Sequence, residues 1–253
     1  MKGILKELPQ YDYVYLGDTA RVPYGTRSKN TIYRFTRQAV DFLSQKNCGL
    51  IILACNTVSS EALWKIQHEY VPQKHGGEKV LGVLIPAIEE ALKKTKNGKI
   101  GIMATNATVK SKAFFKKTKK IDSRMKIFQV ACPALVPLIE AGRYNSPEMD
   151  EALRKYLKLL SGKEIDTLIL GCTHYGIIEG KIRKIIGQRL SVISQSKIIA
   201  GKLKNYLDRH PEIEKSLRKN KRRVFYSTDP TDNFGNLGSK FLGEKIKVQK
   251  ALL

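Results

Sequence analysis

Two short apolar segments of this sequence each end in a cysteine, followed at once by small polar residues and then by a helical pattern. The first, at 53–59, reads Leu-Ala-Cys-Asn-Thr-Val-Ser, and the second, at 168–175, reads Leu-Ile-Leu-Gly-Cys-Thr-His-Tyr. Short apolar runs of this kind are typical of buried strands, and a helix after each strand favours a parallel sheet. Parallel sheets carry their ligand sites at the carboxyl ends of the strands, so two strands are expected to deliver two thiols to a site.

Strand and helix patterns alternate in this way along nearly the whole chain. The alternation predicts an α/β fold with mainly parallel sheets flanked by helices, arranged as two similar domains. We place domain one at residues 1–96 plus 187–253 and an inserted domain two at residues 97–186, with the active site between them. The chain has 253 residues, of which 42% are hydrophobic, and this is ample for packed interiors.

The composition of the chain limits which binding partners and which cellular location are expected. No stretch approaches the roughly 18 consecutive apolar residues of a membrane span, and the start lacks the apolar core of a secretory signal. We therefore expect a cytoplasmic protein with no membrane partner. The 46 Lys and Arg outnumber the 23 Asp and Glu, and the resulting net charge of +23 would attract nucleic acids or acidic small molecules. Because no basic and aromatic module is interleaved, nucleic acid is an open partner but is not favoured.

The four cysteines occur singly, with no Cys-x-x-Cys pair and no spacing typical of a zinc site. This pattern predicts reduced thiols and no metal. Cys48 and Cys132 are interpreted as ordinary buried cysteines. Cys55 and Cys172 differ because each lies where a strand passes into a helix, whose positive end stabilises a thiolate. His174, two residues after Cys172, could exchange a proton with it.

Neutral hydrogen-bond donors follow both of these cysteines. Backbone amides and hydroxyls at a helix start would hold a carboxylate, and two thiols beside them suit proton transfer on a small carboxylic acid. If the thiols face each other across a substrate, one removes a proton from a carbon while the other supplies one to the opposite face. That exchange inverts a stereocentre. The residues alone are equally consistent with a simpler alternative, in which both cysteines are buried and have only a structural role.

Four stretches, GDTARVPYG (17–25), ACNT (54–57), CPALVPLIEAG (132–142) and LILGCTHY (168–175), resemble the glutamate racemase branch of the cofactor-independent aspartate/glutamate racemase family. The resemblance covers nearly the whole chain. It implies glutamate as substrate, frequent homodimers and production of D-glutamate for peptidoglycan. It also implies that Cys55 and Cys172 are the catalytic acid/bases, assisted on the Cys172 side by His174 and Glu140. The residues implied to line the substrate site are Tyr24, Gly25, Asn56, Thr57, Thr173 and His174.

The sequence departs from this family at two places. Members open with an apolar strand ending in Asp-Ser-Gly, which supplies an acid beside the first cysteine, and this strand is not found here. Ser194, Gln195 and Ser196 stand where members often carry an acidic residue and a glycine. We expect either a neighbouring strand or another chain to fill the gap, or, as the favoured interpretation, Met1 to be internal to a longer natural protein. Any impairment should lie on the Cys55 side.

Two other functions therefore accompany the racemase hypothesis. One is an N-terminally truncated, catalytically impaired racemase-like protein that acts through its basic surface, for example on nucleic acid. The other is a racemase of a different amino acid, because the sequence indicates the chemistry of the pocket better than its size.

Overall fold

The structure, a computed structural model, describes residues 1–74 and 77–253, apart from the side chains at positions 232, 233, 237, 240 and 241. Its strands are β1 Tyr13–Gly17, β2 Leu50–Leu53, β3 Lys79–Gly82, β4 Lys99–Ala104, β5 Lys126–Ala131, β6 Thr167–Gly171, β7 Ser191–Ser194, β8 Arg223–Ser227 and β9 Val248–Lys250. Its α-helices are α1 Lys2–Glu7, α2 Lys29–Gln45, α3 Asn56–Glu61, α4 Leu63–Lys65, α5 Val71–Lys74, α6 Leu84–Lys94, α7 Asn106–Lys110, α8 Ala113–Ile121, α9 Leu135–Glu140, α10 Pro147–Lys158, α11 Glu179–Ile186, α12 Gln195–Arg209, α13 Pro211–Ser216 and α14 Asp232–Leu242.

The described strands form three parallel sheets flanked by helices. Their orders are β1-β8-β9, β2-β3 and β5-β4-β6-β7, and every pairing between them is parallel. Helix α6 packs against β6, β7 and α12, which shows how helices cover the four-stranded sheet. The predicted α/β class with mainly parallel sheets is therefore confirmed.

The strands predicted for domain one form two separate sheets, β1-β8-β9 and β2-β3. Among the described residues, β1 pairs only with β8, and β2 pairs only with β3, so no neighbouring strand joins these two pairs. Tyr13 from β1 and Leu50 and Ile52 from β2 nevertheless pack against one hydrophobic cluster around Leu8 and Leu203. The two pairs thus share a core without sharing hydrogen bonds.

Strand β7 belongs to the four-stranded sheet that also contains β4, β5 and β6. The expected boundary at residue 187 puts β7 in domain one, but Thr167 to Leu170 of β6 pair with Ser191 to Ser194. The four-stranded sheet therefore extends to Ser194, and α12 follows it directly. The division into two domains otherwise stays a prediction.

Local sequence explains where the helices near the site begin. Ser28 accepts a hydrogen bond from the Thr31 amide at the start of α2, and Thr105 accepts one from the Thr108 amide at the start of α7. Serine and threonine at this position satisfy amides that have no partner within the helix. Strands β4 and β6 are buried along almost their whole length, as expected when helices cover both sides of a sheet. Among the described residues, no helix is both long enough and apolar enough to cross a bilayer.

Candidate active site

Cys55 lies directly after β2 and immediately before the first residue of α3, as its position in the sequence predicts. Burial raises the pKa of its thiol, and the charge of Cys172 raises it further. The neighbouring Val58 and Thr57 amides and the Thr57 hydroxyl oppose this rise in the pKa. The start of α3 therefore provides the neutral donors that would stabilise a Cys55 thiolate.

Thr57 joins a cluster of hydroxyl groups that spans the two halves of the chain. Its Oγ1 lies 2.9 Å from that of Thr105 and 3.3 Å from that of Thr108, and the Thr105 hydroxyl donates to Thr108 at 3.0 Å. Thr105 also contacts Gly25: a Cβ at position 25 would lie 2.8 Å from Thr105 Cβ. Two predicted substrate-site residues, Gly25 and Thr57, are thus brought together by Thr105.

Tyr24 is fixed by an ionic network from its own loop. Its hydroxyl donates to Asp18 Oδ2, which also accepts from Arg21 Nε at 2.7 Å. The other carboxylate oxygen of Asp18 accepts from the Thr228 hydroxyl at 3.0 Å. Burial and the hydrogen bond to Asp18 raise the pKa of Tyr24, and the charge of Cys55 adds to the rise. Tyr24 therefore lies within electrostatic range of Cys55 as a neutral phenol.

Cys172, unlike Cys55, lies beside a hydrogen-bonded pair of ionisable side chains, His174 and Glu140. It follows β6, is 8% exposed, and its Sγ lies 3.6 Å from His174 Nδ1. The other ring nitrogen of His174 lies 2.5 Å from Glu140 Oε1, at the end of α9. Burial alone would lower the pKa of His174, but the hydrogen bonds to Cys172 and Glu140 raise it to about 10. The bond to His174 in turn lowers the pKa of Glu140.

These local groups form one site. Besides burial, the charge on Cys172 raises the pKa of Cys55. Burial is likewise the main reason that the pKa of the Tyr15 hydroxyl in β1 is raised, and the charge on Glu140 raises it further. Thr173, which is exposed, places its hydroxyl 3.5 Å from His174 Nδ1. The arrangement offers two thiols, one imidazolium and several neutral donors in one place, which suits proton transfer beside a carboxylate.

Asn56 is the predicted site residue whose placement differs most from expectation. Its side chain is 1% exposed and is bonded to Gln195, so the amide faces α12 and not open solvent. The sequence analysis missed Asp18, Thr105 and Thr108 as parts of the site. Thr105 directly follows β4, so the same strand-end signal that identified Cys55 could have found it. Asp18 follows β1 in the same way.

The two remaining cysteines lie in apolar surroundings. Cys132 is 1% exposed within the core around Met103 and Leu170, and burial raises its pKa to about 12. Cys48 packs against the core of the first half, and burial raises its pKa as well. Both therefore stay protonated near neutral pH. Within the part of the chain that the structure describes, no group of three or more His, Cys, Asp or Glu side chains could hold a metal ion.

Comparisons with known proteins agree with this geometry. A family model described as Asp/Glu/Hydantoin racemase matches residues 2–202. The glutamate racemase of Thermoanaerobacter sp. (strain X514) is 38% identical over 98% of this chain and 89% of its own length.

Two solved structures are also similar over nearly the full chain. A glutamate racemase isoform from Bacillus anthracis matches with a TM-score of 0.88 at 31% identity, covering 99% of this chain and 91% of that one. The glutamate racemase of Francisella tularensis in complex with D-glutamate matches with a TM-score of 0.86 at 31% identity, with the same coverages of 99% and 91%. Since the family model spans most of the chain and these relatives align over nearly all of it, the chain belongs to the Asp/Glu/hydantoin racemase family.

Proposed function

We propose that this chain is a glutamate racemase that interconverts L- and D-glutamate by proton transfer between two thiols, without a cofactor. The observation that carries the proposal is the pair Cys55 and Cys172, each at the point where a parallel strand passes into a helix. The relatives that match over nearly the whole chain are glutamate racemases, and one of them was solved with D-glutamate.

The proposed reaction needs one thiolate and one thiol. The thiolate on one side removes the proton from the α-carbon, and the C–H electron pair remains on the substrate as a carbanion. The thiol on the other side then gives its proton to the opposite face of that carbon. The product has the inverted configuration, and the two sulfur atoms have exchanged protonation states, so the reverse reaction starts from the state that the forward reaction leaves.

Each half of the site stabilises its sulfur differently. His174 has a pKa of about 10 and is therefore cationic near neutral pH, so it would stabilise a Cys172 thiolate by charge. Glu140 holds that imidazolium through a 2.5 Å hydrogen bond. On the other side, the amides of Thr57 and Val58 would stabilise a Cys55 thiolate by hydrogen bonding. The substrate carboxylates would be held by neutral donors such as Thr57 and Thr173.

Solvent isotope exchange tests the proposal directly. In D2O, the wild-type chain should incorporate deuterium at the α-carbon of both L- and D-glutamate, as followed by proton NMR. Cys55→Ser and Cys172→Ser should each lower the racemisation rate by about 10²- to 10⁴-fold, the usual contribution of one acid/base group. Cys48→Ser is the matched control and should keep the wild-type rate. Exchange by the wild type that does not exceed that of Cys55→Ser would reject catalysis.

The same measurement distinguishes the competing functions. A racemase of another amino acid would exchange the α-proton of that amino acid faster than that of glutamate. A chain that acts instead through its charge of +23 would show no exchange, together with salt-sensitive binding to DNA at physiological ionic strength. We further propose a cytoplasmic location, a homodimer and supply of D-glutamate to peptidoglycan as the setting of the glutamate activity.

A further inference from the structure

The solvent-facing side of α8 carries a cluster of lysines. Lys116 and Lys117 lie four and three residues before Lys120, so the three side chains emerge from one side of the helix. Lys116 and Lys120 are exposed, and Lys117 is half-buried. Phe114 and Thr118, which are 0% and 1% exposed, occupy the opposite side of α8. We call Lys116, Lys117 and Lys120 the lysine cluster.

Acidic residues do not balance this cluster. Residues 110–121 contain six Lys and no Asp or Glu. Within the residues that the structure describes, no carboxylate forms an ion pair with any member of the lysine cluster. Helix α10 shows the more usual mixture of signs, with the acids Glu148, Asp150 and Glu151 and the bases Arg154, Lys155 and Lys158. Like charges at this spacing destabilise a helix, so the stability of α8 does not explain the lysine cluster.

Helix α6 extends the basic surface beside α8. The two helices pack together in the hydrophobic cluster that contains Phe114. They also end at the same edge of the four-stranded sheet, because the strands that follow them begin at Lys99 and Lys126, which are register partners. The last turn of α6 carries Lys93 and Lys94, and both are exposed. Two neighbouring helix ends therefore present lysines to solvent.

Acids close to this edge are paired with other cations. Asp122 accepts a hydrogen bond from Arg124 at 2.8 Å, and Glu164 pairs with Lys99. Neither carboxylate neutralises the lysine cluster, so the surface keeps its positive charge.

A partner for this surface must be anionic and closely charged. The lysine cluster places three charges within about 6 Å of helix length, and a nucleic-acid duplex carries one phosphate charge per about 1.7 Å of its axis. A duplex therefore offers a phosphate to each lysine. A helix that binds at a membrane surface needs an apolar face beside its cations. Phe115 and Ile121 are partly exposed, but they lie at opposite edges of the lysine cluster and form no such face.

We propose that the lysine cluster of α8, together with Lys93 and Lys94 of α6, binds the phosphate backbone of double-stranded nucleic acid. Contacts to phosphates carry no sequence information, so the binding is independent of base sequence. Sequence patterns did not favour nucleic acid, because they do not show that the lysines of α6 and α8 meet at one edge. The proposal does not rest on the racemase function, since none of these lysines belongs to the candidate active site.

Fluorescence anisotropy with a labelled DNA duplex of about 30 base pairs, measured between about 50 and 200 mM NaCl, tests the proposal. The triple variant Lys116→Gln, Lys117→Gln and Lys120→Gln removes the charges and keeps polar side chains. We expect it to bind about 10- to 100-fold more weakly at about 100 mM NaCl, and to lower the slope of log K against log[NaCl] by about 2 to 3. A parallel arm with an RNA duplex of the same sequence shows which nucleic acid this surface prefers.

Helix α10 provides the matched control. The triple variant Arg154→Gln, Lys155→Gln and Lys158→Gln removes the same charge from another exposed helix face. It should change the affinity less than about threefold, because charges far from the contact act only through screened attraction. Acetylation of the wild-type chain with and without the duplex, read by mass spectrometry, needs no variant and therefore serves if the α8 variant does not fold. The duplex should protect Lys116 and Lys120 but not Lys155 and Lys158.

The results separate a located contact from general attraction. Equal losses of affinity in the α8 and α10 variants, or acetylation that the duplex does not change, would overturn the proposal. Stronger binding to vesicles of phosphatidylglycerol and phosphatidylcholine than to either duplex would also overturn it, in favour of a membrane surface. Both variants should keep the wild-type racemase rate. A chain that binds a duplex through α8 but has no racemase activity would support this contact and reject the proposed function.

Discussion

At the scale of single residues, the two thiols of the site are stabilised by different physical means. Cys172 has a cationic partner in His174, which Glu140 supports. Cys55 has only neutral donors among the groups that most lower its pKa, namely two amides and a hydroxyl. Charge acts over longer distances than hydrogen bonding, whereas hydrogen bonds need the right geometry. The Cys55 side is therefore expected to be the more sensitive to small displacements, and impairment on that side stays a prediction.

The raised pKa of His174 predicts a pH-dependent stability. In the folded chain this pKa is about 10, above the ordinary histidine value of about 6.5. Between about pH 6.5 and 10, His174 therefore keeps its proton in the folded state and loses it in the unfolded state. This contribution to the free energy of unfolding is complete below about pH 6.5 and is lost as the pH rises through about 10. His174→Gln should therefore destabilise the chain more at pH 6 than at pH 9.5.

Urea unfolding of the two chains at several pH values measures this difference. Glu140→Gln is the useful companion variant: it removes one of the two partners of His174, so it should show a smaller pH dependence of the same sign. A stability gap between the wild type and His174→Gln that stays constant from pH 6 to 9.5 would contradict the assignment of a cationic His174.

At the scale of secondary-structure elements, the site is built where strands end and helices begin. Cys55 follows β2, Thr105 follows β4, Cys172 follows β6, and Gln195 follows β7. Amides at the start of a helix lack partners within the helix, and capping side chains or ligands complete them. The short helix Tyr24–Thr26 lies close to the start of α7, since Gly25 packs against Thr105.

Gly25→Ala should separate these two elements. The new Cβ would lie 2.8 Å from Thr105 Cβ, closer than side-chain atoms approach, so Tyr24 and α7 must move apart. We expect a loss of about 1–3 kcal/mol in the free energy of unfolding, typical of overpacking, together with a raised KM. Chemical denaturation and steady-state kinetics measure the two effects.

A second substitution identifies the cause. Thr105→Gly removes all three atoms that the new Cβ would meet, Cβ, Cγ2 and Oγ1, but also the hydroxyl that bonds to Thr57 and Thr108. Measured against Thr105→Gly alone, the added Gly25→Ala should therefore cost little. Thr105→Ser keeps the Cβ and Oγ1 and removes only the methyl at 3.1 Å, so the added Gly25→Ala should cost clearly more in that background. Equal effects of both second substitutions would mean that the contact with Thr105 Cβ is not responsible.

At the scale of the whole molecule, the net charge of +23 is the dominant electrostatic feature. Like charges repel one another more strongly in the folded chain than in the expanded unfolded chain, and salt screens this repulsion. The melting temperature should therefore rise by about 2–4 °C between about 20 and 200 mM NaCl, the change expected for about 1 kcal/mol in a chain of this size. Differential scanning fluorimetry measures it.

The alternative is that added salt lowers the stability of the fold, because it weakens attractive ion pairs more than it weakens the general repulsion. The structure places several carboxylates in such pairs, among them Glu179 with both Arg183 and Lys197. If attraction within these pairs exceeded the general repulsion, the melting temperature would fall with added NaCl. A fall would overturn the prediction, and an equal rise produced by sucrose of the same osmolality would show that screening is not the cause.

Local sequence patterns predicted the fold class and the positions of Cys55 and Cys172 after strands, whereas the roles of the site residues stay a prediction. Apolar runs that end in Cys55 and Cys172 specify buried strands, and polar residues after them specify helix starts, because both are properties of a few adjacent residues. The link from Cys172 to His174 is also local. The pairing of His174 with Glu140 followed from the family resemblance, since 34 residues separate them in the chain.

Other contacts between segments that are distant in the chain are seen in the three-dimensional structure and were not predicted from the sequence. The tertiary structure divided the strands of the first half into two sheets, placed β7 beside β6, and joined Asn56 to Gln195 across 139 positions of the chain. The family resemblance predicted Asn56 as a substrate ligand, and that role stays a prediction, whereas the bonds of its amide to Gln195 are contacts that no local pattern reveals. The physical reason is that strand pairing and buried amide contacts depend on which surfaces pack together, and packing is a property of the whole chain.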